Sequence, residues 1–370
     1  MCIVLLTTSH PKYALIVIDN RDEYILRPTS RPHWWTAQVA PSASSSANPV
    51  EVEVLSSRDL QRAEHGTWLG ITKGGNFAVL TNYRETDTHD AAHPIHGTRS
   101  RGAIVTAWLA ADPAEPTESF VRRMLESGDV KGVGGFSLIC GKLRRTKGEK
   151  GLESLAIISN RHDHWNQVPW ICGERGGVYG LSNATYIAPD DEENQAEVWP
   201  KIRRGSELLA QAISDGIDED QLEEVLFKIL DRDDFPGHHE MDLEDGIPLL
   251  KHSIFVPGFG GKEHQQEMQA ARERGQVELV DHGPIAESLS SEGRIDTQPN
   301  GFQTGLYGTQ RQTIMLVDWD GNVTYKERSL YDSNGNLVPR GSGDMKFKFK
   351  VDGWNPEADS GLQSDGLRSE

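Results

Sequence analysis

Cysteine is scarce in this chain. Only three of its 370 residues are cysteines, Cys2, Cys140 and Cys172, and no two of them have CxxC spacing. An odd number without that spacing argues against a disulfide framework and against a zinc ribbon. The histidines form neither an HExxH nor a CxxCH motif. We therefore expect a reducing compartment, no metal site and no cofactor.

Basic residues and long apolar runs are also in short supply. The chain has 38 lysines and arginines against 56 aspartates and glutamates, a formal net charge of -18. Such a charge repels phosphate backbones, so we predict no nucleic-acid partner. No apolar run approaches the roughly 18 residues of a transmembrane helix, and residues 2–6 are too few for a signal peptide. These absences predict a cytoplasmic protein with no transmembrane segment.

Short apolar runs predict strands at both ends of the chain. Residues 2–7 and 13–19 form one predicted buried hairpin, and residues 67–71 and 77–81 form a second around a Lys-Gly-Gly turn. Further predicted strands cover residues 135–139, 155–159, 178–181, 252–256, 305–317, 323–329 and 345–351.

Amphipathic helices are predicted nearer the middle, over residues 116–127, 200–213 and 219–230. Because strands and helices do not alternate regularly, the order favours an α+β fold with antiparallel sheets. We expect one domain over residues 1–352, followed by a disordered tail at 353–370. Polar insertions are expected at about 40–50, 85–99, 142–150 and 258–300.

Cys2 is the first candidate for chemistry. Removal of the initiator methionine, which a small second residue permits, would give Cys2 both a thiol and an α-amine. The amine titrates near ~7.7–8.0 and the thiol near ~8.5, so the neutral amine can act as base for its own side chain. The alternative is that Cys2 is only a small apolar residue in a buried strand.

The tetrapeptide Asn20-Arg21-Asp22-Glu23 closes the second strand of the first predicted hairpin. A hairpin returns the end of its second strand to the start of its first, which places this tetrapeptide beside Cys2. Strand alternation puts Arg21 and Glu23 on one face and Asn20 and Asp22 on the other. Arg21 could then lower the pKa of the thiol. The alternative is a solvated turn.

Two asparagines end predicted strands, Asn82 and Asn183. Either side-chain amide could donate a hydrogen bond to an oxyanion. Asparagine also caps strands and turns for purely structural reasons, so both interpretations stay open.

The motifs occur in an order that resembles the NRDE family, also called the transport and Golgi organisation family. The resemblance covers about residues 1–350. Its motifs are Met1-Cys2, Asn20-Arg21-Asp22-Glu23, Arg27-Pro28, Gly66-Thr67-Trp68-Leu69-Gly70, Leu80-Thr81-Asn82-Tyr83-Arg84, Ser100-Arg101-Gly102, Gly180-Leu181-Ser182-Asn183, Ser253-Ile254-Phe255-Val256-Pro257 and Gly308-Thr309.

The resemblance implies an N-terminal-nucleophile hydrolase-like fold, a four-layer αββα sandwich of two antiparallel sheets. Relatives in that superfamily, such as choloylglycine hydrolases, use an N-terminal cysteine with arginine, aspartate and asparagine neighbours. Carried over to this chain, the catalytic candidates are Cys2, Arg21, Asp22, Asn82 and Asn183. The ligand-binding candidates are Asn20, Glu23, Arg27, Trp68, Arg84 and Arg101.

The chain departs from the family pattern at two places. His65 precedes Gly66-Thr67-Trp68 where the family usually has glycine, and Gln310 follows Gly308-Thr309 where it usually has arginine. Arg311 lies one residue later, and one residue of displacement reverses the face of a strand.

The resemblance implies a role in Golgi organisation and protein secretion. We expect that role to depend on a lipid, acyl-CoA or haem-like ligand in a hydrolase-type cleft, in the cytoplasm or in association with the Golgi or mitochondria. The alternative is an active amidohydrolase or thioesterase that uses Cys2. The chain offers no pattern that names the ligand.

Overall fold

The computed structural model describes residues 2–38, 51–62, 64–84, 100–128, 130, 133–146, 151–275 and 304–355. In chain order its strands are β1 (Ile3–Thr7), β2 (Tyr13–Tyr24), β3 (His33–Gln38), β4 (Glu51–Ser56), β5 (Leu69–Thr72), β6 (Asn76–Asn82), β7 (Phe136–Lys142), β8 (Leu155–Ser159), β9 (Trp170–Ile171), β10 (Val178–Leu181), β11 (Tyr307–Asp318), β12 (Asn322–Ser329) and β13 (Asp344–Lys350). Its helices are α1 (Arg101–Leu109), α2 (Thr117–Glu126), α3 (Pro200–Ser214), α4 (Glu219–Leu230), α5 (Leu243–Gly246) and α6 (Lys262–Arg274).

Within these residues the strands form two antiparallel sheets. The first sheet has the order β10-β1-β2-β11-β12-β13, and the second has the order β3-β4-β5-β6-β7-β8-β9. The first and last parts of the chain therefore share one sheet, because β11 pairs with β2 along most of its length.

Side-chain alternation divides the core into layers. In β1, Val4 and Leu6 pack against the second sheet, whereas Ile3 and Leu5 pack toward α3 and α4. On the far side, α1 and α2 cover the second sheet around Trp108. Helices thus cover the outer faces of both sheets, and the predicted four-layer αββα sandwich is confirmed.

The predicted hairpin at the start of the chain is present, but its second strand is longer than expected. β2 continues to Tyr24, so the tetrapeptide 20–23 lies inside a strand rather than after its end. The extension is stabilised by β11, whose Tyr307 pairs with Tyr24. In the first hairpin Ile3 lies opposite Asn20, which places Cys2 next to Arg21 and Asp22 in the sheet.

A β-bulge at Gln310 accommodates the displacement of Arg311 by one residue from the family pattern. Thr309 pairs with Asp22 and Arg311 pairs with Arg21, so Gln310 is the extra residue on β11. Gln310 accepts a hydrogen bond from Arg21, and Arg311 lies 3.7 Å from Glu327. Because Gln310 is the extra residue, the Arg311 side chain stays in the layer between the two sheets.

The structure corrects the prediction for residues 258–300. The polar loop expected there contains α6, which ends in the left-handed residue Gly275. Only Met268 and Ala271 of this helix are buried, which is too few for a periodic apolar signal. The predicted strand over residues 252–256 is also wrong, because these residues form bends and irregular backbone. The expected insertions at 40–50 and 85–99 and nearly all of the tail fall outside the described residues.

The other predicted elements are present. Strands β8 and β10 and helices α2, α3 and α4 match their predicted ranges to within about one residue. Strands β3, β4 and β9 and helices α1 and α5 were not predicted. No described helix is long and apolar enough to cross a membrane.

Asp19 is an exception to the apolar layer between the sheets. It lies on the face of β2 that carries Leu15 and Val17, it is 1% exposed, and neither carboxylate oxygen has a hydrogen-bond partner within the described ranges. Burial, together with the charges of Asp22 and Glu327, raises its pKa well above the usual value.

We expect Asp19→Asn to stabilise the fold. A raised folded-state pKa means that the contribution of Asp19 is most favourable at acid pH and is lost as the pH rises through that pKa. The gain should reach about 1–3 kcal/mol at pH 8 and be smaller at pH 5. Urea denaturation at both pH values tests this, with exposed Asp190→Asn as control. An equal effect at both pH values would contradict it.

Candidate functional site

A cavity of about 330 Å³ opens beside Cys2, at the edge where the two sheets meet. Polar and apolar residues share its wall. Among the residues predicted from the sequence, the wall contains Cys2, Arg21, Asp22, Glu23, Arg27, Trp68, Asn82 and Arg101. The fold therefore gathers into one place side chains that are up to 99 positions apart in the chain.

Cys2 is buried just before the start of β1, at 6% exposure. Its carbonyl oxygen accepts a hydrogen bond of 2.7 Å from the Ser182 hydroxyl. Burial raises the pKa of the thiol to about 11, and the charges of Asp19 and Asp22 add to the increase. The positive charge of the chain terminus and a hydrogen bond from the backbone of Asp22 oppose it. The thiol alone is therefore a poor nucleophile at neutral pH.

Arg21 lies on the face of β2 that is directed toward the second sheet. Its guanidinium stacks on the Trp68 ring, 4.3 Å from the ring centre, and donates to Gln310 Oε1. Glu23, two residues along the strand, lies 4.0 Å from it. The alternation expected from the sequence, with Arg21 and Glu23 on one face, is present here.

Arg27 is fixed by two acids. It lies 2.6 Å from Asp59 and 3.3 Å from Glu23. These ion pairs hold the turn after β2 against the loop after β4. Burial opposes ionisation of Glu23, but the charge of Arg27 outweighs it together with that of Arg21, so the pKa of Glu23 is lowered. The charge of Arg27 on the cavity wall is therefore already balanced by two carboxylates.

Asp22 lies on the opposite face of β2 from Arg21. Its Oδ1 accepts a hydrogen bond of 2.7 Å from Thr309, and its Oδ2 lies 3.9 Å from Lys201 Nζ, both side chains being fully buried. Burial raises the pKa of Asp22 and lowers that of Lys201, while each charge favours the other. Lys201, in the first turn of α3, was not among the predicted residues.

The two asparagines have different surroundings. Asn183 is 1% exposed, and its amide donates to the carbonyl oxygen of Asn82, which links the two sheets. Asn82 lines the cavity, and no hydrogen bond of its side-chain amide occurs among the described residues. Asn82 is thus placed to donate to a ligand, whereas the Asn183 amide already has an acceptor.

Three predicted residues lie away from the cavity wall, namely Asn183, Asn20 and Arg84. Asn20 faces the helical layer, where its amide donates to the carbonyl oxygens of Leu230 and Ile254 at 2.8 and 2.9 Å. Arg84 donates to the carbonyl oxygen of Ile247 at 3.2 Å, and Ile247 does line the cavity. The side chains of Asn20 and Arg84 therefore donate to backbone carbonyl oxygens of other segments.

Sequence reasoning missed several residues of the wall. Asp59, Arg62, Tyr24, Tyr307 and Ile247 line the cavity but belong to no motif that was singled out. Tyr24 and Tyr307 lie at the paired ends of β2 and β11, and Tyr307 donates to the carbonyl oxygen of Asp22 at 2.9 Å. Ile247 follows a short helix with no such signal.

The donor set does not favour a metal ion. No group of three or more histidine, cysteine, aspartate or glutamate side chains suited to a metal occurs in the described part of the chain. The arrangement instead combines a thiol, a free amide and several guanidinium groups, which suits binding or attack at a polar carbonyl compound.

We expect Lys201→Met to destabilise the fold by about 3 kcal/mol at pH 8, because it leaves Asp22 buried without its cation. The loss should be smaller at pH 5, where protonation of Asp22 is easier because its pKa is already raised. Adding Asp22→Asn should recover much of the loss, since no uncompensated charge remains.

Denaturant titration of the two single variants and the double variant checks the coupling. Exposed Lys228→Met, which removes a lysine paired with Glu224, is the matched control and should change stability little. Additive losses in the double variant would show that Lys201 does not act on Asp22.

Comparison with solved structures finds two variants of conjugated bile acid hydrolase from Clostridium perfringens. One is 12% identical with a TM-score of 0.34, covering 95% of this chain and 97% of that chain. The other is 10% identical with a TM-score of 0.37, covering 95% and 98%. These scores are too low to support any inference about the site.

Sequence comparison finds relatives along almost the whole chain. The Transport and Golgi organization protein 2 homolog of Homo sapiens is 28% identical over 342 residues, covering 90% of this chain and 95% of the human protein. An uncharacterized protein of Saccharomyces cerevisiae is 23% identical over 366 residues, covering 95% and 100%. The family model for Transport and Golgi organisation 2 matches residues 1–332, so this chain belongs to that family.

Proposed function

We propose that this chain binds a small lipid, acyl-CoA or haem-like ligand in the cavity beside Cys2, and that this binding supports Golgi organisation and protein secretion from the cytoplasm. The observation that carries the proposal is the cavity itself. It combines apolar wall residues such as Leu80 and Ile247 with a few converging polar groups. That combination is typical of small-molecule sites.

The size of the cavity limits what enters it. A volume of about 330 Å³ is near the lower end of ligand pockets, which span roughly 300–1,000 Å³. Part of an acyl chain and one polar group fit such a volume, whereas a whole folded peptide does not. The aromatic residues Trp68, Tyr24 and Tyr307 supply broad apolar surfaces for the chain.

The second candidate is hydrolysis of an amide or thioester. Its support is the position of Cys2 and Asn82 on the same cavity wall. With Met1 removed, the α-amine of Cys2 accepts the thiol proton and the sulfur attacks the carbonyl carbon of the ligand. The Asn82 amide donates to the resulting oxyanion, and Arg21 and Asp22 organise the charges around it.

The reaction then proceeds in two halves. The bond from the carbonyl carbon to the leaving nitrogen or sulfur breaks, and the leaving group takes the proton from the α-ammonium group. Water attacks the acyl-cysteine with the amine again as base, which releases a carboxylic acid and restores the thiol. With Met1 retained there is no such amine, and a thiol with a pKa of about 11 favours binding without turnover.

We expect a reactive acyl ester to separate the two candidates. The chain is incubated with p-nitrophenyl decanoate at pH 7.5, its intact mass is measured, and any adduct is located by peptide mapping. A chain without Met1 that carries a decanoyl group on Cys2 supports hydrolysis. A chain that keeps Met1 and stays unlabelled at Cys2, yet binds decanoate, supports binding alone. Cys140 and Cys172, both buried, are internal controls.

If Cys2 is acylated, Asn82→Ala should slow acylation by about 100-fold with little effect on stability. The variant keeps the Asn82 carbonyl, so the hydrogen bond from Asn183 survives. Asn183→Ala should instead lower the melting temperature because it breaks that link. Stopped-flow acylation rates and thermal melts test both variants. An unchanged acylation rate in Asn82→Ala would remove Asn82 from the oxyanion site.

A further inference from the structure

Two separate segments meet at one wall of the cavity through glycine. A side-chain carbon at Gly66 would lie 2.6 Å from the carbonyl carbon of Gly102, and one at Gly102 would lie 3.0 Å from the Thr67 carbonyl oxygen. Only hydrogen at both positions allows the first turn of α1 to approach the strand entry so closely. The contact brings Arg101 and Trp68 to the same cavity.

Arg101 is a cation without a carboxylate partner on this wall. Within the described residues, its guanidinium group donates one hydrogen bond, to the carbonyl oxygen of Gly135 at 3.3 Å. No aspartate or glutamate of the described residues lies within ion-pair distance of it. Arg27 on the same wall, in contrast, pairs with both Asp59 and Glu23. A guanidinium group has five N–H donors, so most of those on Arg101 have no acceptor in the part of the chain that the structure describes.

Arg101 is partly buried, which is an uncommon setting for a cation that has no ion-pair partner among the described residues. Desolvation lowers the pKa of Arg101, and the nearby charges of Arg27 and Arg62 add to that effect, whereas Glu23 opposes it. Buried charges in proteins are normally paired, because an unpaired one loses its hydration without compensation. A ligand anion would supply the missing partner.

The neighbouring groups on this wall are donors as well. Trp68 is 7% exposed, and its indole N–H has no acceptor within the described ranges. Ser100, Arg101 and Gly102 line the cavity at the start of α1, where backbone N–H groups are free of helical partners and the helix dipole is positive. The first turn of α1 contains no acidic side chain.

We propose that the ligand carries an anionic group, a carboxylate or a phosphate, and that Arg101 binds it at the start of α1 beside Trp68. The inference rests on the proposed function, since it assumes that this cavity is the ligand site. It narrows the ligand class to acidic acyl or lipid compounds and excludes neutral lipids. Among the described residues, the cavity wall has four arginines and three acids, whereas the chain as a whole has a formal net charge of -18.

The test compares three probes of equal chain length, decanoate, decyl phosphate and decan-1-ol, by isothermal titration calorimetry with the full chain. We expect at least one anionic probe to bind roughly tenfold or more tightly than the alcohol, because charge-assisted hydrogen bonds are stronger than neutral ones. Arg101→Gln should abolish that preference, so that neither anion binds more tightly than the alcohol. Arg101→Lys should keep part of it, and rising ionic strength should weaken it.

Exposed Arg204→Gln, on the outer surface of α3, is the matched control and should bind like the unaltered chain. Stronger binding of decanoate than of decyl phosphate identifies a carboxylate site, and the reverse identifies a phosphate site. Equal affinity for the alcohol and both anions overturns the proposal, as does an anion preference that survives in Arg101→Gln. Absence of Cys2 acylation with the anion preference intact counts against hydrolysis alone.

Discussion

The pairing of β1 with β2 is the constraint on which the site depends. Ile3 lies opposite Asn20, and this register sets which side chains of β2 face the cavity. A slip of one residue would turn Arg21 toward the helices and Asp22 toward the second sheet. The register is held by the apolar residues of β1, because Val4 and Leu6 belong to one core layer and Ile3 and Leu5 to another. The same residues that bury the core therefore orient the chemistry.

Much of this arrangement follows from the sequence, because hairpins are local and alternation is regular. The first hairpin and the opposite faces of Arg21 and Asp22 could be predicted from a few adjacent residues. Helix α1 carried a usable signal as well, since Ile104, Val105, Trp108 and Leu109 have helical spacing, but it was not predicted. The polar helix α6 offered almost no apolar periodicity.

What the sequence could not provide are contacts between distant segments. Lys201 reaches Asp22 across 179 positions, because α3 packs beneath β1. The bulge at Gln310 likewise depends on how β11 pairs with β2. Neither has a local pattern, since a buried lysine in a helix has the same letter as an exposed one. The predicted residues include eight that line the cavity, and contacts between distant segments add Lys201 beside Asp22.

Several of these charges oppose stability. Asp19 has no hydrogen-bond partner in the described part of the chain, and Lys201 and Asp22 are fully buried 3.9 Å apart. Apolar residues of similar size would cost less in both places. Charges held against stability are common at functional sites, because there they act on a ligand or on a reacting group. Their concentration around Cys2 is therefore an argument for function at this end of the sandwich.

The two proposed functions, ligand binding and hydrolysis, differ in their requirement for a single peptide bond, the one between Met1 and Cys2. While Met1 is attached, Cys2 has a thiol with a pKa of about 11 in a buried setting, and an unactivated thiol of that kind does not attack a carbonyl at useful rates. Cleavage of that bond would add an amine on the same residue, beside the carboxylate of Asp22. The rest of the cavity would not have to change, since the anion-binding wall and the apolar surfaces serve a bound ligand in either state. The two proposed functions can therefore share this architecture, and the state of the amino terminus distinguishes them.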